Sequence, residues 1–543
     1  MTRTQQPGFP LRHLLAILLL AAGVRALLLA SSSVSFHADE AVVGLMARHI
    51  LQGARPTFFY GQAYMGSLDA WLVAAGFTLL GQSVMAMRVV QSVLYLLAVA
   101  AGYTVAWRLI ARPVVAAAAG LLLAVPTTNV ALYTTATLGG YNELLLLGSL
   151  IWLLCWDIYR NFPGSAWRWA LMGLCAGLGW WTHGLIVIYA LPAAALLLYR
   201  MFFKPVGTRR AALALVGVAL AGFVIGSAPW WVFDIQHNGA AISTFLTSRQ
   251  TGEFAGIGLP DLPPGQRALG LLLIGLPALI GLRFPWSEAY FLLPVGALVG
   301  LVYLAAFYRL ARGGTLRPEV RVFILGVFAL FGLIFVASSF GADPTGRYFL
   351  PLALPLGIAL GALADVLYTR PPGPSPAPQW WKRTAALLPL ALVIVYQAAG
   401  LITAASEPPG FTTQFDPVSH IPNDHDAELM AFLESNDLFH GYTNYWVAFR
   451  LAFLSGERLQ YSAALPYKIN LDYNPADNRY RPYAEMTAQA DRVAYITSNL
   501  PELDARLEAA FRAQGLVYRR RSIGVFTIFY DFEPRNPTEI RFP

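Results

Sequence analysis

The sequence predicts an α-helical polytopic membrane protein with a small α/β domain at its C-terminal end. Three observations carry that expectation. Of 543 residues, 57% are hydrophobic and 13% charged, against roughly 25% charged in an ordinary soluble domain, and the mean hydropathy is +0.53. Apolar runs of about 20 residues, enough to cross a bilayer as helices, recur through the first 404 positions. The composition then changes: residues 1–404 carry 25 basic and 12 acidic side chains, net +13, whereas residues 405–543 carry 13 and 18, net −5.

The first apolar run, Pro10 to Ala30, is about 31 Å long as a helix and reads as a retained span. It is too long for a signal-peptide core and lacks a convincing small-residue cleavage site. Further runs at 87–110, 114–132, 141–160, 168–182, 183–203, 211–229, 289–308, 320–340, 348–369 and 384–404 complete eleven crossings. Lys and Arg are retained on the cytoplasmic side of short loops. With the N-terminus inside, cytoplasmic segments hold 17 of the 25 basic residues of this part, and Arg25 falls within the first span. Two other apolar stretches, 68–81 and 268–283, are interfacial or re-entrant on this reading, because making either a span puts the Arg-rich turn after it on the wrong side. An odd number of spans places residues 405–543 outside the cytoplasm, as expected of a plasma (inner) membrane protein.

Arg370 to Pro378 is a short, stiff, Pro-rich connector, and the domain boundary falls near residue 405. Beyond it, helical patterns at Asp424–Ser435 and Pro501–Gln514 alternate with strand-like runs at Arg492–Ser498 and Gly524–Phe532. Only two cysteines occur, Cys155 and Cys175, both in apolar runs, which excludes a disulfide framework and a cysteine metal site. The excess basic residues are membrane flanks, so nucleic acid is not an expected partner. No phosphate-binding Gly-rich loop, HExxH, EF-hand loop or GxSxG elbow is present.

Nine of the twelve acids in the membrane part fall on the outer side, and acids near hydrocarbon are functional candidates because they are costly to place there. Phe36-His37-Ala38-Asp39-Glu40 follows the first span and opens an amphipathic stretch, Ala41 to Gln52. The structural alternative is that Asp39 caps this helix and Glu40 is a first-turn acid. Thr137 to Glu143 lies in the outer turn between the third and fourth spans. Glu143 is either a second functional acid there or a first-turn acid behind Asn142 as cap. Arg347 opens a span at its outer end within Asp343-Pro-Thr-Gly-Arg347-Tyr348; as an outer arginine it runs against the orientation bias and fits a bound anion such as phosphate, or else anchors the interface. His183 follows Trp180-Trp-Thr and belongs either to the interfacial belt or to the site. Tyr461 to Tyr483 is rich in aromatic residues, suited to stacking on sugars or to core packing.

Taken together, the Asp39-Glu40 pair directly after the first span, the amphipathic segment, Phe59-Tyr-Gly-Gln-Ala-Tyr64-Met-Gly66, the Gly81-Gln-Ser turn and Arg88 resemble the GT-C membrane glycosyltransferases. Nearest in pattern are bacterial relatives of the protein O-mannosyltransferases and the lipid A aminoarabinose transferases, of glycosyltransferase family 39 type. The resemblance covers about residues 10–404 and extends to the layout of the chain, a GT-C fold of about 11 transmembrane helices (1–404, with an acidic first outer loop at 31–86) and an exoplasmic domain (405–543). It implies transfer of a sugar from a polyprenyl-phosphate donor to an acceptor hydroxyl on a protein, glycolipid or envelope polysaccharide. It also implies Asp39 as the catalytic acid, Glu40 as its neighbour, Glu143 as the second acidic position and Arg347 as the group meeting the donor phosphate.

The physical reading agrees with that implication. A sugar phosphate on a long lipid reacts where its head leaves the bilayer, where these acids are placed. Asp39 is the expected general base, and Arg347, with His183, is expected to meet the charge on the leaving phosphate. Glu40 and Glu143 are expected to orient hydroxyls, with His37, Tyr64, Tyr141, Asn142 and Tyr348 binding substrate. Single-step displacement inverts the anomeric configuration. No metal is required on this reading, although converging acids leave room for a divalent one. The rival readings are a transporter or flippase of lipid-linked sugars and a non-enzymatic membrane protein whose outer domain binds carbohydrate.

Overall fold

A computed structural model describes residues 8–204, 209–247, 262–313, 316–369, 379–538, 540 and 542. The Pro-rich connector at 370–378 and the outer acids Glu253 and Asp261 lie outside these. The chain begins with α1 (Leu11–Ala30), followed in the first loop by α2 (Ala38–Leu51) and α3 (Leu68–Leu80). Then come α4 (Val84–Ile110), α5 (Pro113–Ala124), α6 (Thr128–Thr135), α7 (Tyr141–Arg160), α8 (Ala166–Thr182) and α9 (Val187–Phe203). The bundle continues with α10 (Arg209–Gly226), α11 (Ala228–Gln236), α12 (Ala240–Thr247), α13 (Pro264–Gly270), α14 (Leu276–Leu279), α15 (Leu293–Arg312), α16 (Pro318–Ala337), α17 (Ala353–Thr369), α18 (Gln379–Ala386) and α19 (Leu388–Ser406).

Among the described residues eight helices are long and apolar enough to cross a membrane, and ten if the bent pairs α5–α6 (64°) and α10–α11 (61°) each count as one span. The expected eleventh, at 168–182, is α8, whose 17 residues give about 26 Å against a core of about 30 Å. Its far end returns to the level at which α7 begins, since the ring of His183 lies 5.5 Å from that of Tyr141. Eleven traverses are therefore reached only by counting this short helix. Neither α3 nor the α13–α14 region is among the spans.

Glycine spacing explains how so short a helix is held. Gly173 and Gly177 of α8 face Gly222 and Gly226 of α10 so closely that a Cβ at Gly173 would stand 1.9 Å from the carbonyl oxygen of Ala219, and one at Gly222 2.3 Å from that of Ala170. Small residues four apart on both helices allow this backbone contact. Elsewhere, Arg25 turns inward from α1: its guanidinium lies 3.8 Å from the Tyr95 ring centroid and donates to Thr134 at 2.5 Å and to Thr135. A buried intramembrane charge thus fixes α6 beyond the bend.

Past α19 the chain forms α20 (Asp426–Ser435), β1 (His440–Thr443), α21 (Tyr445–Leu454), β2 (Gln460–Ala463), α22 (Arg481–Ala488), β3 (Ala494–Ser498), α23 (Pro501–Ala513), β4 (Val517–Ile523) and β5 (Phe526–Glu533). The sheet order is β2-β1-β3-β5-β4. β1 is parallel to both β2 and β3, whereas β5 is antiparallel to β3 and β4. This is the small α/β domain of the sequence pattern, with helices at both predicted positions.

The composition boundary near residue 405 is not a packing boundary. Val42, Met46 and Ile50 of α2, with Val73 and Phe77 of α3, share one hydrophobic cluster with Val447, Phe449 and Phe453 of α21 and with Ile496 and Ile528 of the sheet. Gly44 makes room, since a Cβ there would sit 2.6 Å from the Phe453 ring. The backbone of Phe36 is tied on both sides to the Asn423 amide, each bond 2.9 Å. The first loop and the C-terminal domain therefore form one body.

Candidate active site

Where that body meets the bundle lies a cavity of about 230 Å³, lined by residues from four separate parts of the chain. Asp39 comes from α2, and Gln62 and Tyr64 from the loop after it. Tyr133 and Tyr141 come from α6 and α7, and Arg347 from the turn before α17. The C-terminal domain contributes Tyr445, Trp446, Tyr467, Asn474, Asp477 and Arg479.

Asp39 stands in the first turn of α2, whose N-cap is His37. The alternative role of Asp39 as cap does not hold. Its Oδ1 accepts the hydroxyl of Tyr445, a bond that ties the carboxylate to the C-terminal domain. Arg347 is held at 2.7 Å by Asp343 and lies 5.0 Å from the ring of Tyr348. Asp343 is itself oriented by Thr345, whose backbone N–H donates to Oδ1 at 2.8 Å. The loop carrying Tyr64 is pinned by a bridge between Phe58 and Gly66, and Met65 bridges to His183. A Cβ at Gly66 would fall 2.1 Å from the Trp181 carbonyl oxygen, so only glycine permits that approach.

Several expected residues are placed elsewhere. Glu40 is 0% exposed, and its two oxygens accept from Arg88 at 3.0 and 2.8 Å. It therefore forms a buried ion pair between α2 and α4 and lies outside the cavity lining. Glu143 is buried outside the cavity lining, beside Asp69. Asp69 accepts from Gln91 at 2.7 Å and from the Gly139 N–H at 3.0 Å, and burial pushes its carboxyl up to about 6. Asn142 is not the cap of α7, a place taken by Gly140. Its amide instead donates to Gln91 Oε1 at 2.6 Å and to the Thr134 carbonyl at 3.0 Å. Asp69, Gln91 and Asn142 thus form a polar network outside the cavity, to which Glu143 is adjacent.

His183, expected to meet the leaving phosphate, stands behind the lining: its Nδ1 accepts the Leu185 N–H at 3.2 Å and its ring packs near Tyr141 and Tyr348. Tyr348 supports Arg347 and is not itself in the lining. His37 is buried with its ring 6.1 Å from that of Trp446. Burial lowers its basicity despite the nearby Asp39 and Glu40, so it is a neutral packing group outside the cavity lining. Of the expected residues, Asp39, Tyr64, Tyr141 and Arg347 converge on the cavity.

The C-terminal wall was not anticipated as part of this site. The guanidinium of Arg479 lies 5.2 Å from the Tyr445 ring and 5.3 Å from that of Phe59. Two residues earlier, Asp477 closes a 3-10 turn whose cap is Asn474, accepting the Ala476 N–H at 3.1 Å. Burial pushes the Asp477 carboxyl up to about 7, opposed by Arg479 and Lys468. The aromatic density of Tyr461 to Tyr483 was the sequence signal that pointed here. Among the described residues, no three or more His, Cys, Asp or Glu side chains group as metal ligands.

No protein-family model matches the chain. An undecaprenyl phosphate-alpha-4-amino-4-deoxy-L-arabinose arabinosyl transferase 2 of Pseudomonas fluorescens (strain Pf0-1) is 30% identical over 201 residues, 37% of this chain and 31% of that protein. The match spans about a third of that relative's length. ArnT from Cupriavidus metallidurans in its apo state superposes with a TM-score of 0.58 at 14% identity, covering 94% of this chain and 97% of that one. Its form bound to undecaprenyl phosphate gives 0.57 at 15% identity, covering 96% and 99%. An Archaeoglobus fulgidus oligosaccharyltransferase tethered with an acceptor peptide gives 0.51 at 14% identity, covering 95% and 74%. The likenesses to the solved structures extend over the bundle and the C-terminal domain together.

Proposed function

We propose that this chain, which has the GT-C fold of those transferases, is a multi-pass membrane glycosyltransferase that moves a sugar from a polyprenyl-phosphate donor to an acceptor hydroxyl. The observation that carries the reading is that Asp39 and Arg347, a carboxylate and a guanidinium from distant parts of the chain, line one cavity at the end of the bundle bearing the C-terminal domain. The cavity is smaller than the roughly 300–1,000 Å³ of pockets for drug-sized ligands. It suits reacting headgroups, with the lipid tail left among the spans.

In the proposed step the acceptor oxygen attacks the anomeric carbon while Asp39 takes its proton. The bond from the anomeric carbon to the phosphate oxygen breaks with its electron pair going to that oxygen, and Arg347 meets the resulting charge. One displacement inverts the anomeric centre. Arg347 supplies the charge stabilisation, so the step as written requires no metal. Placement at one end of the bundle supports transfer over carriage of a lipid-linked sugar, for which a midplane site is expected. The arginine distribution supports a plasma (inner) membrane topology with the N-terminus cytoplasmic and the C-terminal domain outside.

The test is to purify the protein in native lipid and search by mass spectrometry for a co-purifying polyprenyl-phosphate sugar. The carrier is expected in the wild type and in Asp39→Asn, and lost in Arg347→Ala. A wild-type transfer rate in Asp39→Asn at normal protein level would overturn the assignment of the base.

A further inference from the structure

With Glu40 and Glu143 outside the lining, the carboxylates that face the cavity among the described residues are Asp39 and Asp477. We propose that the C-terminal wall, Trp446, Tyr467, Asn474 and Asp477, is a subsite for a carbohydrate acceptor whose hydroxyls donate to Asp477. The proposal rests on the transferase reading above and names its acceptor class.

Tyr64 lines the cavity together with Arg347, which is held by Asp343, and Arg479, which lies 5.2 Å from the ring of Tyr445 in the C-terminal domain. The donor phosphate takes the Arg347 end. The acceptor hydroxyl must reach Asp39, which is bonded to Tyr445 of the C-terminal wall and interacts electrostatically with Asp477 and Arg479.

A sugar presents several hydroxyls, each both donor and acceptor, and apolar ring faces. The wall offers a carboxylate that only accepts, an indole N–H that only donates, and an amide. Among the described residues, the buried Nε1 of Trp446 donates to no protein atom. The Oδ1 of Asn474 is engaged by the Ala476 N–H, which leaves its NH₂ to offer. The rings of Trp446 and Tyr467 stand 5.7 Å apart and nearly perpendicular, at 73°, forming an aromatic corner. A lone Ser or Thr hydroxyl would engage one of these groups and leave the others desolvated without partners, which is costly. Asp477 is 4% exposed, so its hydrogen bonds would form largely out of solvent. Its elevated titration near 7 means that the carboxylate form, and with it acceptor binding, grows as pH rises through neutrality.

The experiment uses the full chain in lipid nanodiscs, with solubilised envelope glycan as acceptor and bare undecaprenyl phosphate as the probe of the donor end. Asp477→Asn is expected to raise the KM for the glycan about tenfold or more, the scale of a lost hydrogen bond to a charged group, and to retain undecaprenyl phosphate. Asp477→Glu is expected to recover part of the loss, and the rise in kcat/KM through pH 7 is expected to flatten in Asp477→Asn. An unchanged KM in Asp477→Asn, or transferred sugar found on protein Ser or Thr, overturns the carbohydrate subsite. Undecaprenyl phosphate binding by Arg347→Ala equal to wild type would count against the transferase reading itself.

Discussion

The hydroxyl of Tyr445 donates to Oδ1 of Asp39 across 406 residues of sequence. The acid next to the first span is therefore oriented by the domain farthest from it in the chain. Tyr445→Phe is expected to lower kcat about tenfold with little change in donor KM, because the base is retained and only its orientation is lost. Asp39→Asn is expected to cost about 10²–10⁴. Single-turnover transfer assays check both.

Arg347 presents a planar fork, already oriented by Asp343 at 2.7 Å. Arg347→Lys keeps the charge and loses the two-pronged geometry. Retention of undecaprenyl phosphate, measured by native mass spectrometry, is expected to fall in the order wild type, Lys, Ala.

The pair Glu40–Arg88 has a structural role. Removing one partner leaves a buried charge, at a cost of about 3–5 kcal/mol, whereas replacing both with apolar residues of similar volume restores most of the stability. Glu40→Leu is expected to melt well below wild type, and Glu40→Leu with Arg88→Met close to it and with transfer retained. Loss of transfer in a double variant of wild-type stability would return Glu40 to the chemistry.

Glu457 joins the C-terminal domain to α2, accepting from Tyr483 at 2.7 Å and lying 2.8 Å from His49 Nε2. Although burial opposes its charge, the hydrogen bonds with His49 and Tyr483 and the nearby Arg48 hold it below the ordinary value of 4.5. A carboxyl depressed on folding adds stability above its unfolded value, and that contribution is lost as pH falls through the folded one. Wild type is therefore expected to lose melting temperature more steeply than Glu457→Gln below about pH 4.5.

The α8–α10 crossing tolerates no side chain at its glycines. A Cβ at Gly177 would lie 2.1 Å from the Phe223 carbonyl oxygen. Gly177→Leu is expected to reduce the yield of folded protein sharply, with Gly217→Leu, where nothing lies within 4 Å, as the neutral control in size-exclusion profiles.

The spans were legible because hydrocarbon thickness and arginine retention leave strong marks in a sequence. Asp39, Tyr141 and Arg347 were legible from their places at the ends of helices and Tyr64 from the loop motif Phe59–Gly66, and all four line the cavity. The places of the others follow from helix geometry. Successive residues on an α-helix are about 100° apart, and on α2 that step carries Glu40 away from the cavity that Asp39 lines and toward Arg88 on α4. By the same rotation Tyr141 faces the cavity, Asn142 turns to Gln91, and Glu143 turns toward Asp69. The residues of the C-terminal wall belong to no sequence motif. Only the folding of Trp446, Asp477 and Arg479 back onto the first loop brings them to Asp39, and the aromatic density around them was the one trace of it.

The hydrophobic cluster shared by α2, α3 and α21 also sets an order on biogenesis. The ribosome emits Asp39 with the first loop, but its partners arrive some four hundred residues later, after the spans have been threaded through the bilayer. Until then α2 is covered by α3 but not on the side that meets α21, and the cavity has no far wall. The cavity is thus completed only when the last domain packs against the first loop. A chain stalled or cut before its last domain is left with the face of α2 that meets α21 exposed.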